Sequence, residues 1–416
     1  MTDIYLSHYR ASEDVNFIQQ CPYEMATNLT STCSAVEAFF KRCNLPLEIR
    51  DRCWALVREL FPGRIIEEVK SQGYCSYTLC VGKNTIVQFR PPVHRLEIRL
   101  AKAVQDVYGS LAPWTELLGI LPDPRYNTSK DAQDRTDCQA PIDEAIAIDD
   151  GEGCEPGTSL YVYSLTRMPG IPLAEHLASS RHCPISQNRL RQQRETLVGH
   201  FAKLIAAGWN SARPASDPIV SSLCGKVGAS MKWRLEEMRA HLPRRFQPAV
   251  RETLDRLDAI ESLPWTLTHG DVVPANMMVR PPRDRSGVLM VTGFIDWAEA
   301  EYLPFCVGLY GLEELLGETG VDGRFAYYVE AEDLREHFWS HLAAEIPGID
   351  IQPGTLFRGT LEAAHSLGIL LWHGIAFDNG RLDRVVEEGK DDEELWRLDI
   401  FFSRTKKVVD VDVALC

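Results

Sequence analysis

No run of about eighteen uncharged apolar residues occurs in the chain, so the sequence offers no membrane-spanning helix. The opening residues, Met1-Thr2-Asp3-Ile4-Tyr5-Leu6-Ser7-His8, lack the basic and apolar character of a secretory leader, and a cytoplasmic location is the expectation. Positive charge is scarce: 44 Lys and Arg face 59 Asp and Glu, for a formal net charge of −15. Nucleic acids are bound by clustered cations, so this balance argues against such a partner and favours a cationic small molecule. None of the 12 cysteines forms a Cys-x-x-Cys pair, which argues against a zinc ribbon or a dithiol redox motif. Reduced thiols buried as small core residues are the expected alternative. The sequons Asn28-Leu29-Thr30 and Asn127-Thr128-Ser129 have no secretory signal to make them meaningful, and no internal repeat is present.

What the chain does have is material for two lobes: 416 residues, 45% hydrophobic and 25% charged, exceed one ordinary core. Helical spacing runs from Ser34 to Cys43 and from Leu47 to Leu60, giving an N-terminal helical extension over residues 1–63. Short β-rich runs follow at 64–69, 75–81 and 85–90, read as three antiparallel strands closed by Arg90. A helix over Leu96 to Tyr108 carries Glu97 and Asp106, and Trp114 to Leu121 reads as a strand. The acidic segment at about 122–157 reads as an insertion, and Ser159 to Leu165 restores a buried strand before the breaker cluster Thr166-Arg167-Met168-Pro169-Gly170. Residues 64–165 thus form a first lobe. From 166 to 416 the pattern is mostly helical, at Gln187 to Ala207, Ala229 to His241, Arg245 to Ile260, Thr355 to Phe377 and Asp391 to Phe402.

Chemistry is concentrated in Leu267-Thr268-His269-Gly270-Asp271-Val272-Val273-Pro274-Ala275-Asn276, answered twenty residues later by Ile295-Asp296-Trp297. Asp271 is placed to accept a hydroxyl proton, while the amide oxygen of Asn276, five positions on, turns back toward Mg²⁺ on nucleotide phosphates. Pro274 fixes one torsion and Gly270 permits a conformation closed to other residues. Met277-Met278-Val279 and the run ending at Ile295 read as a hairpin turning at 281–287, which delivers Asp296 beside Asn276. Two oxygen ligands plus substrate phosphates is a normal Mg²⁺ set. The base, the amide and the second carboxylate parallel the catalytic and metal-binding loops of protein kinases.

With these motifs in order, the chain resembles the aminoglycoside phosphotransferase and choline kinase-like family, in its fungal-type branch, over roughly residues 64 to 380. The resemblance rests on His269-Gly270-Asp271, Asn276, Ile295-Asp296-Trp297, Met168-Pro169-Gly170 and, more loosely, Val87-Gln88-Phe89-Arg90. It implies a bilobal, protein kinase-like α+β fold: a small lobe of antiparallel sheet plus helix, a larger helical lobe, and ATP between them. It makes Asp271 the base, Asn276 and Asp296 the Mg²⁺ ligands, and Arg90 the cation on the nucleotide phosphates. His269 would brace the loop, Trp297 would pack, and Glu299 would reach substrate or solvent. Gly73 and Ser76 would lie at the hairpin covering the phosphates, Glu97 would pair the strand cation, and the backbone of Leu165, Thr166 and Arg167 would meet the adenine. Three departures stand out: Arg where a Lys is usual, Glu97 as the helix partner without a close alignment to the family's Glu, and Tyr302-Leu303-Pro304-Phe305-Cys306 where a further Asp is familiar.

The leading expectation is an ATP- and Mg²⁺-dependent phosphotransferase acting on a hydroxyl, amine or carboxyl group of a small molecule, in secondary metabolism or detoxification. The alternatives are a kinase-fold binding protein that no longer transfers phosphate, and a protein using the fold for another reaction, such as carboxylate activation for amide formation. Candidate acceptor contacts in the helical lobe are Trp209, Trp233, Tyr310, Glu313, His365, Trp372, His373 and Asp378, each equally readable as core or surface.

Overall fold

The computed structural model describes residues 35–69, 72–122, 159–180, 186–281, 288–320, 322–378 and 381–403, with the backbone alone at 377–378 and 381–383. The chain divides into two compact units, one built from residues up to 98 and from 114 to 167, the other from 99–113 and 168 onward.

The first unit contains helices α1 (Ala35–Arg42) and α2 (Glu48–Leu60) and strands β1 (Ile66–Glu68), β2 (Tyr77–Val81), β3 (Thr85–Arg90), β4 (Thr115–Pro122) and β5 (Ser159–Thr166). The strands form one antiparallel sheet in the order β1-β2-β3-β5-β4. Strand alternation gives the sheet two apolar faces. Tyr77, Leu79, Val87, Phe89, Leu160 and Val162 join Phe39, Phe40, Ile49, Cys53 and Val57 of the two helices in one cluster. Cys80, Ile86, Tyr163 and Leu165 point the other way into a second. The two N-terminal helices are therefore part of this unit's core.

The second unit takes most of helix α3 (Ile98–Tyr108), which starts one residue after Glu97; the expected helical position of that carboxylate is corrected to the residue preceding the helix. It continues through β6 (Ile171–Pro172), α4 (Leu173–Ser180), α5 (Gln187–Asn210), α6 (Pro218–Ser222), α7 (Met231–His241), α8 (Gln247–Asp255), α9 (Leu257–Glu261), β7 (Trp265–Thr268), β8 (Met277–Arg280), β9 (Met290–Phe294) and β10 (Glu301–Pro304). The remainder is α10 (Tyr310–Leu315), β11 (Gly317–Thr319), β12 (Phe325–Tyr327), α11 (Ala331–Glu345), α12 (Leu356–His373), β13 (Ile375–Asp378), β14 (Arg381–Val385) and α13 (Asp392–Phe402). The expected class, an antiparallel α+β unit and a mostly helical one, is what the chain adopts.

Two helical readings need correction. The segment expected as one helix to Phe377 stops at His373: Gly374 caps it, and Ile375 to Asp378 pair with β14 instead. A buried apolar run carries no period that separates a helix end from a strand. The segment 245–260 is broken at Arg256, between α8 and α9. The insertion from 123 to 157, both sequons and the turn 282–287 lie outside the described residues. No described helix is long and apolar enough to cross a membrane.

Candidate functional site

The loop 269–276 joins β7 to β8, and the loop 295–300 joins β9 to β10. Strand β7 pairs with β10, Thr268 opposite Glu301, and β8 pairs with β9, Met277 opposite Phe294. Two loops that connect the same two strand pairs must lie side by side. The N–H of Ile295 accordingly donates to the Asn276 carbonyl at 2.8 Å, which delivers Asp296 as the next residue. Asp296 holds a left-handed conformation, φ 62°, sparse for a non-glycine residue and often found at functional sites.

Within this frame His269, Asp271 and Asn276 are all buried. The backbone N–H of Asp271 donates to His269 Nδ1 at 3.2 Å, so the hydrogen sits on Nε2, which donates to the Ile295 carbonyl at 2.9 Å. His269 thus ties the two loops together and is not aimed at a substrate; burial pushes its pKa down to about 3 and keeps it neutral. Trp297 packs over it, ring centroids 4.4 Å apart, and Tyr108 packs on the far side of Trp297 at 4.7 Å.

The Asn276 amide nitrogen donates to Asp271 Oδ2 at 2.7 Å and to the Asp271 carbonyl at 3.1 Å. Its oxygen, Oδ1, is buried and accepts no hydrogen bond among the described residues. A buried acceptor in that state suits a hard cation. Asp296, on the neighbouring loop, could join it in a sparse oxygen set of the kind Mg²⁺ completes with phosphate and water oxygens. Among the described residues no group of three or more His, Cys, Asp or Glu is arranged around a metal position.

Several further contacts support the two loops. Tyr310 OH accepts the Val272 N–H at 2.9 Å, and its ring stacks on Trp372 at 4.3 Å. Gly270, at φ 77°, lies so near Glu299 that a Cβ there would come within 1.9 Å of the Glu299 carbonyl oxygen. The Pro274 carbonyl accepts the Ala174 N–H at the start of α4. Met168-Pro169-Gly170 belongs to this support: a Cβ on Gly170 would meet the Val279 carbonyl at 2.2 Å, so the segment presses against β8. Glu301 is buried beside the loop, accepts the Gly228 N–H at 2.7 Å, and burial lifts its pKa to about 7.

In the first unit Arg90 is buried in its own sheet. Its Nε donates to Gln88 Oε1 at 3.1 Å and its Nη1 to the His94 carbonyl at 3.4 Å. The Gly73 carbonyl accepts from Arg42 at 3.5 Å, and the buried Ser76 hydroxyl shares a hydrogen bond with Thr78 Oγ1 at 3.1 Å. Leu165 is registered between Ile86 and Thr115; the Thr166 N–H donates to the Trp114 carbonyl at 2.9 Å and the Arg167 N–H to Asn84 at 2.7 Å.

Most acceptor-contact candidates serve packing or ion pairing. Trp209 stands edge-on to Phe305, 4.6 Å between centroids, and Trp233 is exposed. Burial would lift the Glu313 carboxyl, but Arg335, His365 and the Tyr327 hydroxyl outweigh it and hold it below its ordinary value. His365 Nε2 lies 3.4 Å from Glu313, and His373 Nδ1 lies 2.7 Å from Glu394. Asp378 is described in its backbone only.

Residues 136–331 match the model of the phosphotransferase enzyme family, APH. Over that segment the chain is similar to the family. Glu299 and Glu301, which flank the last turn of the loop against Gly270 and Gly228, fall within this APH segment, as do all of His269, Asp271, Asn276 and Asp296. Among solved structures, the chain is similar to the GDP complex of aminoglycoside 2'-phosphotransferase-IIIa at 12% identity, covering 78% of this chain and 91% of that one, with a TM-score of 0.43. It is similar to an aminoglycoside-3'-phosphotransferase of type VIII at 15% identity, covering 76% and 97%, with a TM-score of 0.40. A thermostable mutant of the aminoglycoside phosphotransferase APH(4)-Ia, in ternary complex with AMP-PNP and hygromycin B, matches at 15% identity over 82% and 94%, TM-score 0.40. TM-scores of this size add no weight to the family match. No curated protein matches the sequence.

Proposed function

We propose that the protein is a small-molecule phosphotransferase that moves the γ-phosphoryl group of ATP to a hydroxyl, amine or carboxyl group, in the cytoplasm and in secondary metabolism or detoxification. The observation that carries this reading is the pair of loops locked side by side, with Asp271, Asn276 and Asp296 on them and the Asn276 oxygen buried without a hydrogen-bond donor. Asp271 orients the acceptor and takes its proton; with a carboxylate acceptor it only positions, and the product is an acyl phosphate. Asn276 and Asp296 would hold Mg²⁺, which supplies charge neutralisation for the transferred phosphoryl group. His269 holds the two loops in register. Arg90, with Gly73, Ser76 and the 165–167 backbone, is assigned to the nucleotide. The net charge of −15 supports a cationic acceptor. The test is ATP-dependent phosphorylation across a panel of small amines, alcohols and acids: Asp271→Asn should lower turnover of a hydroxyl acceptor by about 10²–10⁴-fold, and undiminished turnover sinks the assignment.

A second reading, a binding protein without phosphoryl transfer, is favoured by the first unit. Arg90 is held by Gln88 and His94, and the 166 and 167 N–H groups are engaged within their own unit. Calorimetry separates the two: Mg²⁺-dependent ATP binding supports transfer, and its absence supports the second reading.

A further inference from the structure

On α11, His337 and His341 stand one helical turn apart, and their Nε2 atoms are 3.0 Å from each other. The rings lie 4.4 Å apart at 61°, both half-buried, so water and ions reach them. Two neutral imidazoles at this separation share a single hydrogen between their Nε2 atoms; with both hydrogens on Nδ1, both Nε2 lone pairs are free and a metal ion can take the place of that shared hydrogen after a small rotation of the rings. The neighbouring helix α5 shapes the surroundings. The His341 ring rests 3.6 Å from where a Cβ on Gly199 would stand. His200, also on α5, donates from Nδ1 to the Thr196 carbonyl at 2.8 Å, which leaves its Nε2 an acceptor. Burial, then the charges of His337 and Lys203, lower the pKa of His341 against the opposing pull of Glu345, favouring the neutral ring that ligates metals.

The separation also discriminates between metals. With metal–nitrogen bonds of about 2.0–2.1 Å, nitrogens 3.0 Å apart subtend about 94° at the ion. That angle belongs to neighbouring positions of a tetragonal or octahedral site, not to a tetrahedron.

We propose that His337 and His341 form a two-imidazole chelate for a divalent transition-metal ion, Cu²⁺ or Ni²⁺, made of residues other than those of the phosphoryl-transfer site. Because no third His, Cys, Asp or Glu completes a cluster among the described residues, the ion is exchangeable, with water in its remaining positions. Bound metal clips successive turns of α11 and raises the melting temperature by mass action.

The experiment titrates Ni²⁺ and Cu²⁺ into the untagged chain with its accessible thiols alkylated, so that they neither reduce nor bind the Cu²⁺, with calorimetry for stoichiometry and electron paramagnetic resonance for the Cu²⁺ ligands. The expected result is one equivalent whose spectrum shows two equatorial imidazole nitrogens. His337→Gln and His341→Gln should each weaken it at least about tenfold, with circular dichroism confirming the fold. A wild-type spectrum without two nitrogen ligands overturns the proposal, as does unchanged affinity in both variants.

Discussion

Asn276 is hydrogen-bonded side chain to side chain with Asp271, its amide nitrogen 2.7 Å from Oδ2. That bond decides which way the amide faces: the nitrogen is spent on the carboxylate, and the buried oxygen accepts no hydrogen bond among the described residues, as the proposed Mg²⁺ ligand requires. Asn276→Ala removes both functions at once. It should raise the Mg²⁺ concentration for half-maximal turnover by about 10–100-fold, and cost about 1–3 kcal/mol by leaving the buried Oδ2 without this donor. Rate against Mg²⁺ and urea unfolding measure the two effects; an unchanged Mg²⁺ dependence would remove Asn276 from the metal site.

Gly270→Ala tests the contact between the loops. The residue sits at φ 77°, and the added Cβ would meet the Glu299 carbonyl carbon at 2.5 Å as well as its oxygen. Backbone, not a flexible side chain, is in the way, so relief requires moving one loop off the other. The variant should lose at least about 2 kcal/mol and turnover should fall with it. A variant with wild-type urea midpoint would show that the loops separate at no cost.

The placement of the loops was legible: a hairpin from Met277 to Ile295 puts Asn276 and Asp296 at the ends of paired strands, and β8 and β9 pair in that way, Met277 opposite Phe294. Strand β3 was also legible, residue for residue, since alternation from Thr85 to Arg90 is short and bounded. The long-range contacts that hold the loops were not. Tyr310 reaches Val272 across 38 positions, and α4 reaches Pro274 across a hundred. Such contacts arise from tertiary packing and leave no local period to read. Arg90 illustrates the same limit: its place at the end of a strand was readable, but its engagement with Gln88 and His94 was not.

His269 makes stability depend on pH. Its folded pKa, about 3, lies below the ordinary imidazole value of 6.5 because the ring is buried and fully used by Asp271 and Ile295. The unfolded chain therefore takes up a proton first as pH falls. Stability from this group is complete above pH 6.5 and declines toward pH 3, at up to about 1.4 kcal/mol per unit. Urea midpoints measured at pH 7 and pH 5 should differ less in His269→Gln than in the wild type. Equal differences would mean that the imidazole titrates in the folded chain.

Tyr310→Phe isolates one hydroxyl. The ring keeps its stack on Trp372, but the Val272 N–H, next to Asp271, loses its acceptor in a buried setting. An orphaned buried donor costs about 1–3 kcal/mol, and the backbone beside the base is free to turn away to find another partner. Turnover should fall while the KM for ATP stays within about twofold, the pattern of an interaction that orients the base and leaves ground-state nucleotide binding alone. A rise in KM at unchanged turnover would place Tyr310 in nucleotide binding and end its role in positioning Asp271.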